Sequence, residues 1–264
     1  MKKNIPVVLS IAGSDSGGGA GIQADIITMN TMIVFAVTAF RCITAQNTKK
    51  IRKISKVSPN LVEEQILSVK EDFKISAVKI GMLYDKEVML KVSKCIKLLK
   101  DIPIIVDPVM ISKSGDYLLR PSAINFFKKE ILPKAWLVTP NLHEALSLSG
   151  MQVIEDEKDI KNCCIKLKKF GAENILIKGG HLKHKKEVVD YLFHNNKIYK
   201  FTSSRYNTKN THGTGCTLSA AISGNIAKGM HLIKAIKEAK KFVDKAIKNS
   251  LKIGSGHGPL NHFP

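Results

Sequence analysis

Short apolar segments that favour strands alternate with longer amphipathic segments that favour helices along almost the whole chain. This alternation predicts a mostly parallel sheet with helices on both faces, because each parallel crossover carries a helix back across the sheet. The predicted strands cover residues 7–11, 34–44, 77–80, 102–106, 136–138, 175–177, 188–193 and 197–201, and the predicted helices cover residues 22–31, 58–73, 86–100, 121–130, 156–170, 215–227 and 232–250. No linker, repeat or low-complexity segment divides the sequence, so we expect a three-layer α/β/α fold in a single domain over residues 1–264.

Two local signals sharpen this prediction. Ser58 followed by Pro59 is typical of a helix N-terminus, and we expect Leu61, Ile66 and Val69 of that helix to face inward. The pair at residues 195–196, Asn-Asn, separates two β-prone segments and predicts a hairpin.

The chain is strongly basic, with 42 lysines and arginines against 22 acidic residues and a formal net charge of +20. Such a charge favours polyanionic partners, so a lysine-rich nucleic-acid-binding module is one alternative. Arginine, the preferred residue for bidentate phosphate and base contacts, accounts for only four of the 42. The lysines are scattered through the predicted helices, so we expect no specific nucleic-acid partner.

The five cysteines, at positions 42, 95, 163, 164 and 216, are odd in number and show no Cys-x-x-Cys or Cys/His metal spacing. This pattern argues against a disulfide framework and against structural zinc, and it suits a reducing, cytoplasmic location. No apolar run approaches the roughly 18 residues that a membrane span needs, so we expect no membrane association.

Residues 210–222 predict an anion site. Gly213 and Gly215 flank Thr214, Cys216 follows, and small apolar residues then continue at helical spacing. The N–H groups at such a helix start are free and carry partial positive charge, which suits phosphate. If a phosphoryl group is transferred here, Cys216 lies where a base for the attacking hydroxyl belongs; the alternative is a small residue that merely fits. A helix N-terminus lowers a thiol pKa, which favours the first hypothesis.

Four polar residues, Gln46, Asp107, Asn141 and Lys178, each follow the carboxyl end of a predicted strand. In an open α/β sheet those ends form the binding crevice, so we expect the four side chains to converge. The glycine-rich loop at residues 13–21 fits neither the P-loop nor a clean dinucleotide-binding pattern. It is either a tight strand-to-helix turn or a loop that lets a small substrate approach, with Asp25 reaching it.

Nine motifs occur in the order expected for one enzyme family, at residues 13–25, 44–48, 78–83, 106–110, 113–116, 139–145, 178–181, 210–216 and 254–263. The chain thereby resembles the hydroxymethylpyrimidine/phosphomethylpyrimidine kinases of thiamine biosynthesis, in the ribokinase-like superfamily. The resemblance implies transfer of phosphate from ATP, with Mg²⁺, to 4-amino-5-hydroxymethyl-2-methylpyrimidine and then to its monophosphate. It also implies a homodimer. A pyridoxal or pyridoxine kinase of the same superfamily is the nearest alternative.

The resemblance implies a role for each matched residue at the acceptor end. Gln46 would bind the pyrimidine, since its amide offers both a donor and an acceptor to the ring edge. Gly13, Asp25, Met82 and Val109 would line the same pocket.

At the phosphate end, the resemblance assigns amide donors for the γ-phosphoryl group to Gly213, Thr214, Gly215 and Cys216. Lys178 and Asn141 would face the nucleotide phosphates, and Asp107 and Glu144 would hold Mg²⁺. A carboxylate at Glu144 is also explained by the start of a helix, and both roles are compatible. Cys216 stands where related sugar kinases have aspartate, which makes it the proposed base.

The segment at residues 33–42 departs from the family pattern, because it lacks the glycine that members usually have there, and Arg41 and Cys42 are atypical. We expect altered local geometry near the first loop. All residues proposed for the chemistry are present, so we expect activity to survive.

Overall fold

The computed structural model describes residues 4–99, 101–112, 115, 117–179 and 187–263, and within them nine strands form one sheet. The strands are β1 (Val7–Gly13), β2 (Phe35–Gln46), β3 (Ile51–Lys56), β4 (Ile75–Ile80), β5 (Ile104–Val106), β6 (Leu137–Val138), β7 (Asn174–Ile177), β8 (Glu187–His194) and β9 (Lys197–Ser204). The helices are α1 (Gly21–Thr31), α2 (Pro59–Asp72), α3 (Lys86–Lys97), α4 (Ile124–Glu130), α5 (Leu142–Ser149), α6 (Glu157–Lys169), α7 (Thr214–Ala227) and α8 (Leu232–Lys248).

The strands lie in the order β3-β2-β1-β4-β5-β6-β7-β8-β9. Six neighbouring strands, β2, β1, β4, β5, β6 and β7, run parallel to one another. At one edge β3 is antiparallel to β2, and at the other edge the β8–β9 hairpin pairs with β7 through antiparallel β8. The predicted three-layer α/β/α fold with a mostly parallel sheet is therefore confirmed. All six parallel strands present their carboxyl ends at the same edge, where the predicted crevice belongs.

Each face of the sheet has its own apolar core, because successive strand residues point to opposite sides. Leu9 packs with α2 through α6 on one face, whereas Val8 packs with α1, α7 and α8 on the other. The cysteines Cys95, Cys163 and Cys164 are buried in the first of these cores.

Two local predictions are confirmed and one is wrong. The hydroxyl of Ser58 accepts a hydrogen bond from Leu61 N at the start of α2, and Asn195 and Asn196 both adopt positive φ in the β8–β9 turn. Leu61 does not face inward, however, but is 54% exposed. Val62 is buried in its place, because the helix begins at Pro59 and therefore turns residues 62 and 66 toward the sheet.

The segment at residues 33–42, which lacks glycine, begins with a residue in a strained backbone conformation. Ile33 has φ of +59°, in the left-handed region that a β-branched side chain rarely adopts, and its side chain is 73% exposed. This strain lies just before the amino end of β2, at the opposite end of the strand from the predicted crevice, so altered geometry near the first loop stays a prediction.

Among the described residues, no helix combines the length and apolar character that crossing a membrane requires.

Candidate active site

A cavity of about 580 Å³ opens at the carboxyl ends of the parallel strands. This volume is within the range of small-molecule sites, about 300–1,000 Å³. Nearly all of the residues singled out in the sequence line it: Gly13, Gln46, Met82, Asp107, Val109, Asn141, Glu144, Lys178, Gly213, Thr214, Gly215 and Cys216. Asp25 does not line it.

The anion cradle is the amino end of α7. Gly213 caps the helix with φ of +81°, and a Cβ there would lie 1.8 Å from Gly19 O, so only glycine fits. A Cβ on Gly215 would lie 3.2 Å from Lys178 Nζ. The two glycines thus let the first loop and the Lys178 ammonium approach the helix start, where the first N–H groups lack intrahelical acceptors.

Lys178 and two carboxylates form a charged cluster beside this cradle. Lys178 Nζ lies 2.7 Å from Asp107 Oδ1 and 3.9 Å from Glu144 Oε2. Burial alone would lower the pKa of Lys178, but the two carboxylates outweigh burial and raise it. The lysine therefore stays charged, and 16% of its side chain remains exposed.

Glu144 belongs both to this cluster and to the start of α5. Its carboxylate accepts a hydrogen bond from Asn141 N, and Asn141 Oδ1 accepts one from Glu144 N, so the two residues form a capping box. Burial raises the pKa of Glu144 to about 7, and the charge of Asp107 adds to this rise while Lys178 opposes it. Asn141 is thereby held as a helix cap at the cavity wall.

The described residues contain no cluster of three or more His, Cys, Asp or Glu side chains that would hold a metal by itself. Asp107 and Glu144 nevertheless suit Mg²⁺, which usually takes one or two carboxylates, several waters and substrate phosphate oxygens. Burial is the main cause of the raised pKa of Glu144, and the nearby charge of Asp107 adds to it, so a divalent cation between the two would favour the ionised carboxylates.

Cys216 lies in the first turn of α7 and is partly buried. Burial raises the pKa of its thiol to about 11, while Lys79 and a hydrogen bond from the Gly21 backbone oppose the rise. The expectation of a lowered pKa at this helix start is therefore wrong, because removal of the thiolate from water outweighs the favourable helix end.

Gly13, Met82, Val109 and Gln46 form a further part of the cavity wall. A Cβ on Gly13 would lie 2.4 Å from Met82 Cε, so glycine lets the thioether pack against the first loop. Arg41, atypical in the sequence, is fully buried behind this wall, and its Nε donates to Met82 O over 3.2 Å.

Asp25 is not positioned to reach a ligand. It is fully buried in α1, where its Oδ2 accepts hydrogen bonds from Ser10 Oγ at 2.6 Å and Lys79 Nζ at 2.8 Å. The expectation that Asp25 contacts the substrate is wrong for this geometry, because α1 turns the carboxylate toward the sheet. The sequence did carry a signal for its partner: Lys79 is the one charged residue inside β4.

A segment near the carboxyl end holds the β2–β3 connection, at Thr48, and the cradle together. His257 N donates to Thr48 O over 2.8 Å, Gly256 N donates to Thr48 Oγ1, and His212 N donates to Gly258 O. His262 further contacts the Thr217 hydroxyl in α7 at 3.0 Å. This segment, residues 254–262, thus packs against loops far from it in sequence.

The cavity has a second arm that sequence reasoning missed. It runs between β8–β9 and α8 and is lined by Val188, Asp190, residues 203–206, Lys240, Val243, Asp244 and Ile247. No single motif marks these residues, because they come from a hairpin and a helix that meet only in the fold. The motif at residues 113–116, apart from Gly115, and His181 lie outside the described residues.

Comparison with known proteins agrees with this geometry. Residues 15–261 match the profile of the phosphomethylpyrimidine kinase family. A hydroxymethylpyrimidine/phosphomethylpyrimidine kinase of Bacillus subtilis is 43% identical over 255 residues, covering 97% of this chain and 94% of that protein. The thiamine biosynthesis bifunctional protein ThiED of Geobacter sulfurreducens is 40% identical over 256 residues, covering 97% of this chain and 52% of that protein.

Solved structures show the same fold. An ADP complex of Bacillus subtilis pyridoxal kinase superposes with a TM-score of 0.90 at 34% identity, covering 98% of this chain and 97% of that one. A phosphomethylpyrimidine kinase of Clostridium difficile superposes with a TM-score of 0.81 at 36% identity, covering 92% and 99%. With a match over nearly the whole sequence and the fold and cavity described above, the chain belongs to the phosphomethylpyrimidine kinase family.

Proposed function

We propose that the protein uses Mg·ATP to phosphorylate 4-amino-5-hydroxymethyl-2-methylpyrimidine and then the resulting monophosphate, working as one kinase domain over the whole chain. One observation carries this proposal: a single cavity joins an anion cradle, at Gly213 through Cys216, to a pocket whose wall includes Gln46 and Met82. A phosphoryl donor bound at the cradle and a flat heteroaromatic acceptor would thereby share one cavity. Phosphoryl transfer requires mainly such positioning and charge stabilisation.

The donor end stabilises the transferring group. The amides of Gly213 and Gly215 and the Lys178 ammonium would face the γ-phosphoryl oxygens, where negative charge is spread in the transition state. The Thr214 N–H would join them by giving up its long 3.4 Å hydrogen bond to Thr211 O. Asn141, held by its capping box, lies beside the phosphates. Mg²⁺ on Asp107 and Glu144 would neutralise the charge of the β- and γ-phosphates.

Cys216 is the proposed base for the first phosphorylation. Because burial raises the pKa of the Cys216 thiol to about 11, the thiol must first release its proton to water. The substrate hydroxyl oxygen then bonds to the γ-phosphorus, the bond to the β–γ bridging oxygen breaks, and the hydroxyl proton passes to the Cys216 thiolate. The second phosphorylation needs no such base, because a phosphate monoester with a second pKa of about 6 is already largely deprotonated near pH 7.

This difference gives a test of Cys216. Cys216→Ala should slow the first step by about 10²- to 10⁴-fold, the usual contribution of a positioned base, and the second step far less. Rapid-quench measurements of each step with the separate substrates would report the two rates. Cys216→Ser, which keeps a weak hydroxyl at the same position, is the matched control. Equal losses in both steps would contradict the base assignment and favour a residue that merely fits.

The overall activity is tested by incubating the protein with hydroxymethylpyrimidine and Mg·ATP and identifying the products by mass spectrometry. We expect the monophosphate first and the diphosphate later. Monophosphate alone would remove the second step from the proposal, and no product would contradict the proposal as a whole.

Pyridoxal phosphorylation is the second candidate, and it rests on the TM-score of 0.90 to a pyridoxal kinase. Pyridoxal also carries a hydroxymethyl group on a heteroaromatic ring. A coupled ADP assay with both compounds at equal concentration would rank them, and we expect the aminopyrimidine to give the higher kcat/KM.

We further propose a cytoplasmic homodimer. All five cysteines are free thiols, which suits a reducing compartment. Phe35 and Phe73 stack with ring centroids 6.2 Å apart while remaining 51% and 36% exposed, which supports a covering partner surface. Light scattering after size exclusion would give twice the chain mass if the dimer forms, and Phe35→Ser should then shift the protein toward monomer.

A further inference from the structure

His212 lies where three parts of the cavity wall meet, and nothing above gives its side chain a role. Its Nε2 atom is 2.7 Å from Asp15 Oδ2 in the first loop and 3.3 Å from the Gln46 amide nitrogen at the end of β2. The next residue along the chain is Gly213, the cap of the anion cradle. All three side-chain positions line the cavity.

Asp15 determines which atom of His212 carries hydrogen. Its Oδ1 accepts from Gly17 N at 2.8 Å and its Oδ2 accepts from Ala20 N at 2.9 Å, and only 3% of its side chain is exposed. Both oxygens are therefore fixed as acceptors. An imidazole nitrogen 2.7 Å away must donate, because a lone pair facing this carboxylate would be strongly repelled. His212 therefore holds its hydrogen on Nε2.

This hydrogen constrains Gln46. His212 Nε2 has one N–H and no free lone pair, so it cannot accept a hydrogen bond from the Gln46 amide as well. The nitrogen and oxygen of a side-chain amide are told apart by the hydrogen bonds they make. An N–H facing an N–H at 3.3 Å is unfavourable, whereas the amide oxygen in that position shares the hydrogen that goes to Asp15.

We propose that His212 is a positioning residue that holds the Gln46 amide with its oxygen toward the imidazole and its two N–H groups toward the acceptor pocket. The pocket then selects a heteroaromatic ring whose edge presents an unprotonated ring nitrogen, as an aminopyrimidine does. A ring that presents only donors along that edge is refused, because it meets two further donors. This inference rests on the proposed function, since it concerns how the acceptor is chosen.

A purely structural role for His212 has a different signature. The His212 backbone N–H donates to Gly258 O, and a Cβ on Gly19 would lie 2.8 Å from His212 Cδ2, so the ring also packs between loops. Loss of packing would disturb the adjacent cradle and weaken ATP binding. Loss of amide orientation would weaken acceptor binding and leave ATP binding unchanged.

The kinetic test compares His212→Phe, which keeps a flat ring without N–H, with His212→Gln, which keeps a donor. We expect His212→Phe to raise KM for the pyrimidine about tenfold, as for one lost hydrogen bond, with kcat and KM for ATP within about twofold. His212→Gln should recover most of the loss. In a Gln46→Ala background, His212→Phe should have no further effect on the pyrimidine KM. His231→Phe, at the exposed cap of α8, is the matched control.

Two results would overturn the proposal: an equal rise in KM for ATP, or an undiminished effect of His212→Phe without the Gln46 side chain. A spectroscopic measurement adds a test that needs no turnover. With ¹⁵N-labelled histidine, nitrogen shifts should show His212 with hydrogen on Nε2 in the wild-type protein, and His212→Gln assigns the signal. A neutral ring with hydrogen on Nδ1 only would refute the proposal. Wild-type product formation tests the proposed function separately, so the two failures are distinguishable.

Discussion

Two buried lysines reach the carboxyl edge of the sheet and have opposite surroundings. Lys79 in β4 pairs with Asp25 at 2.8 Å, and both side chains are completely buried. Lys178 directly after β7 pairs with Asp107 at 2.7 Å, but 16% of its side chain is exposed to the cavity. Both are lysine–carboxylate pairs with almost equal separations between the charged atoms.

The difference teaches how to separate a structural ion pair from one that can act on a ligand. Burial raises the pKa of Asp25, while the charges of Asp25, Cys216 and Asp107 outweigh burial and raise that of Lys79. This pair has no exposed side-chain surface, although Lys79 borders the cavity, and it fastens α1 to the sheet. Lys178 lines the cavity with part of its side chain exposed, so the N–H groups that do not bind Asp107 can reach phosphate oxygens there.

The largest expected effect is a loss of stability when the buried Lys79–Asp25 pair is broken. Lys79→Met leaves a carboxylate buried without a partner and should lower the free energy of unfolding by about 3–5 kcal/mol, measured by urea denaturation. The double variant Lys79→Met with Asp25→Asn should recover a large part of this loss, because no charge is then buried. A loss below about 1 kcal/mol in the single variant would show that the Asp25 carboxylate is less buried than described.

Substitution in the cluster of Lys178, Asp107 and Glu144 should change activity more than stability. Lys178→Met removes a fixed positive charge from the transferring phosphoryl group and should lower kcat by about 10²- to 10³-fold, the usual cost of one such electrostatic contact. The melting temperature should fall less than in Lys79→Met. Lys241→Met, at an exposed lysine on α8, is the matched control and should leave kcat unchanged. An unchanged kcat in Lys178→Met would remove the distinction between the two lysines.

The pH dependence of stability tests the environment of Glu144 in the same cluster. The folded-state pKa of Glu144 is about 7, above its ordinary value of 4.5. Between these pH values the folded protein therefore binds more protons than the unfolded protein does. Stability contributed by this group is present at low pH and falls as pH rises through that window. Glu144→Gln cannot titrate, so its unfolding free energy relative to wild type should grow by about 1–3 kcal/mol from pH 5 to pH 8. Parallel pH curves from urea denaturation would contradict this assignment.

The smallest effect should come from Ile33, just before the amino end of β2, where only backbone strain changes stability and no charge is involved. Ile33→Gly relieves a left-handed β-branched residue and should stabilise the protein by roughly 1 kcal/mol, since its side chain is largely exposed. Ile43→Gly, in the regular part of β2 with 59% exposure, is the matched control and should destabilise. A lower melting temperature for Ile33→Gly would contradict the strain assignment.

Much of the fold and part of the cavity were predictable because they follow from periodicity. Alternating elements imply parallel strands, and parallel strands bring residues such as Asp107, Asn141 and Lys178 to one edge regardless of loop detail. The strand β3 escaped prediction because its residues, Ile51–Lys56, are mostly exposed at the sheet edge and carry four polar side chains. An edge strand is held by backbone pairing to its neighbour more than by its own apolar pattern.

The environments of Asp25 and Cys216 were not predictable, because they depend on burial by distant segments. The sequence places Asp25 near the first loop, but only the rotation of α1 against β4 decides that it meets Lys79. A helix start suggests a lowered thiol pKa at Cys216, but burial of the thiol raises the pKa instead. Residue type and spacing indicated the position of each, whereas the protonation energy was set by tertiary contacts.

The contacts of residues 254–262 also bear on how the protein matures during translation. One of the loops that they hold, around Thr48, leaves the ribosome long before this segment is synthesised. At about 5–20 residues per second, the stretch from residue 48 to residue 254 takes on the order of tens of seconds. A nascent chain therefore carries the loop around Thr48 without these contacts for most of its synthesis and gains them only when this segment docks.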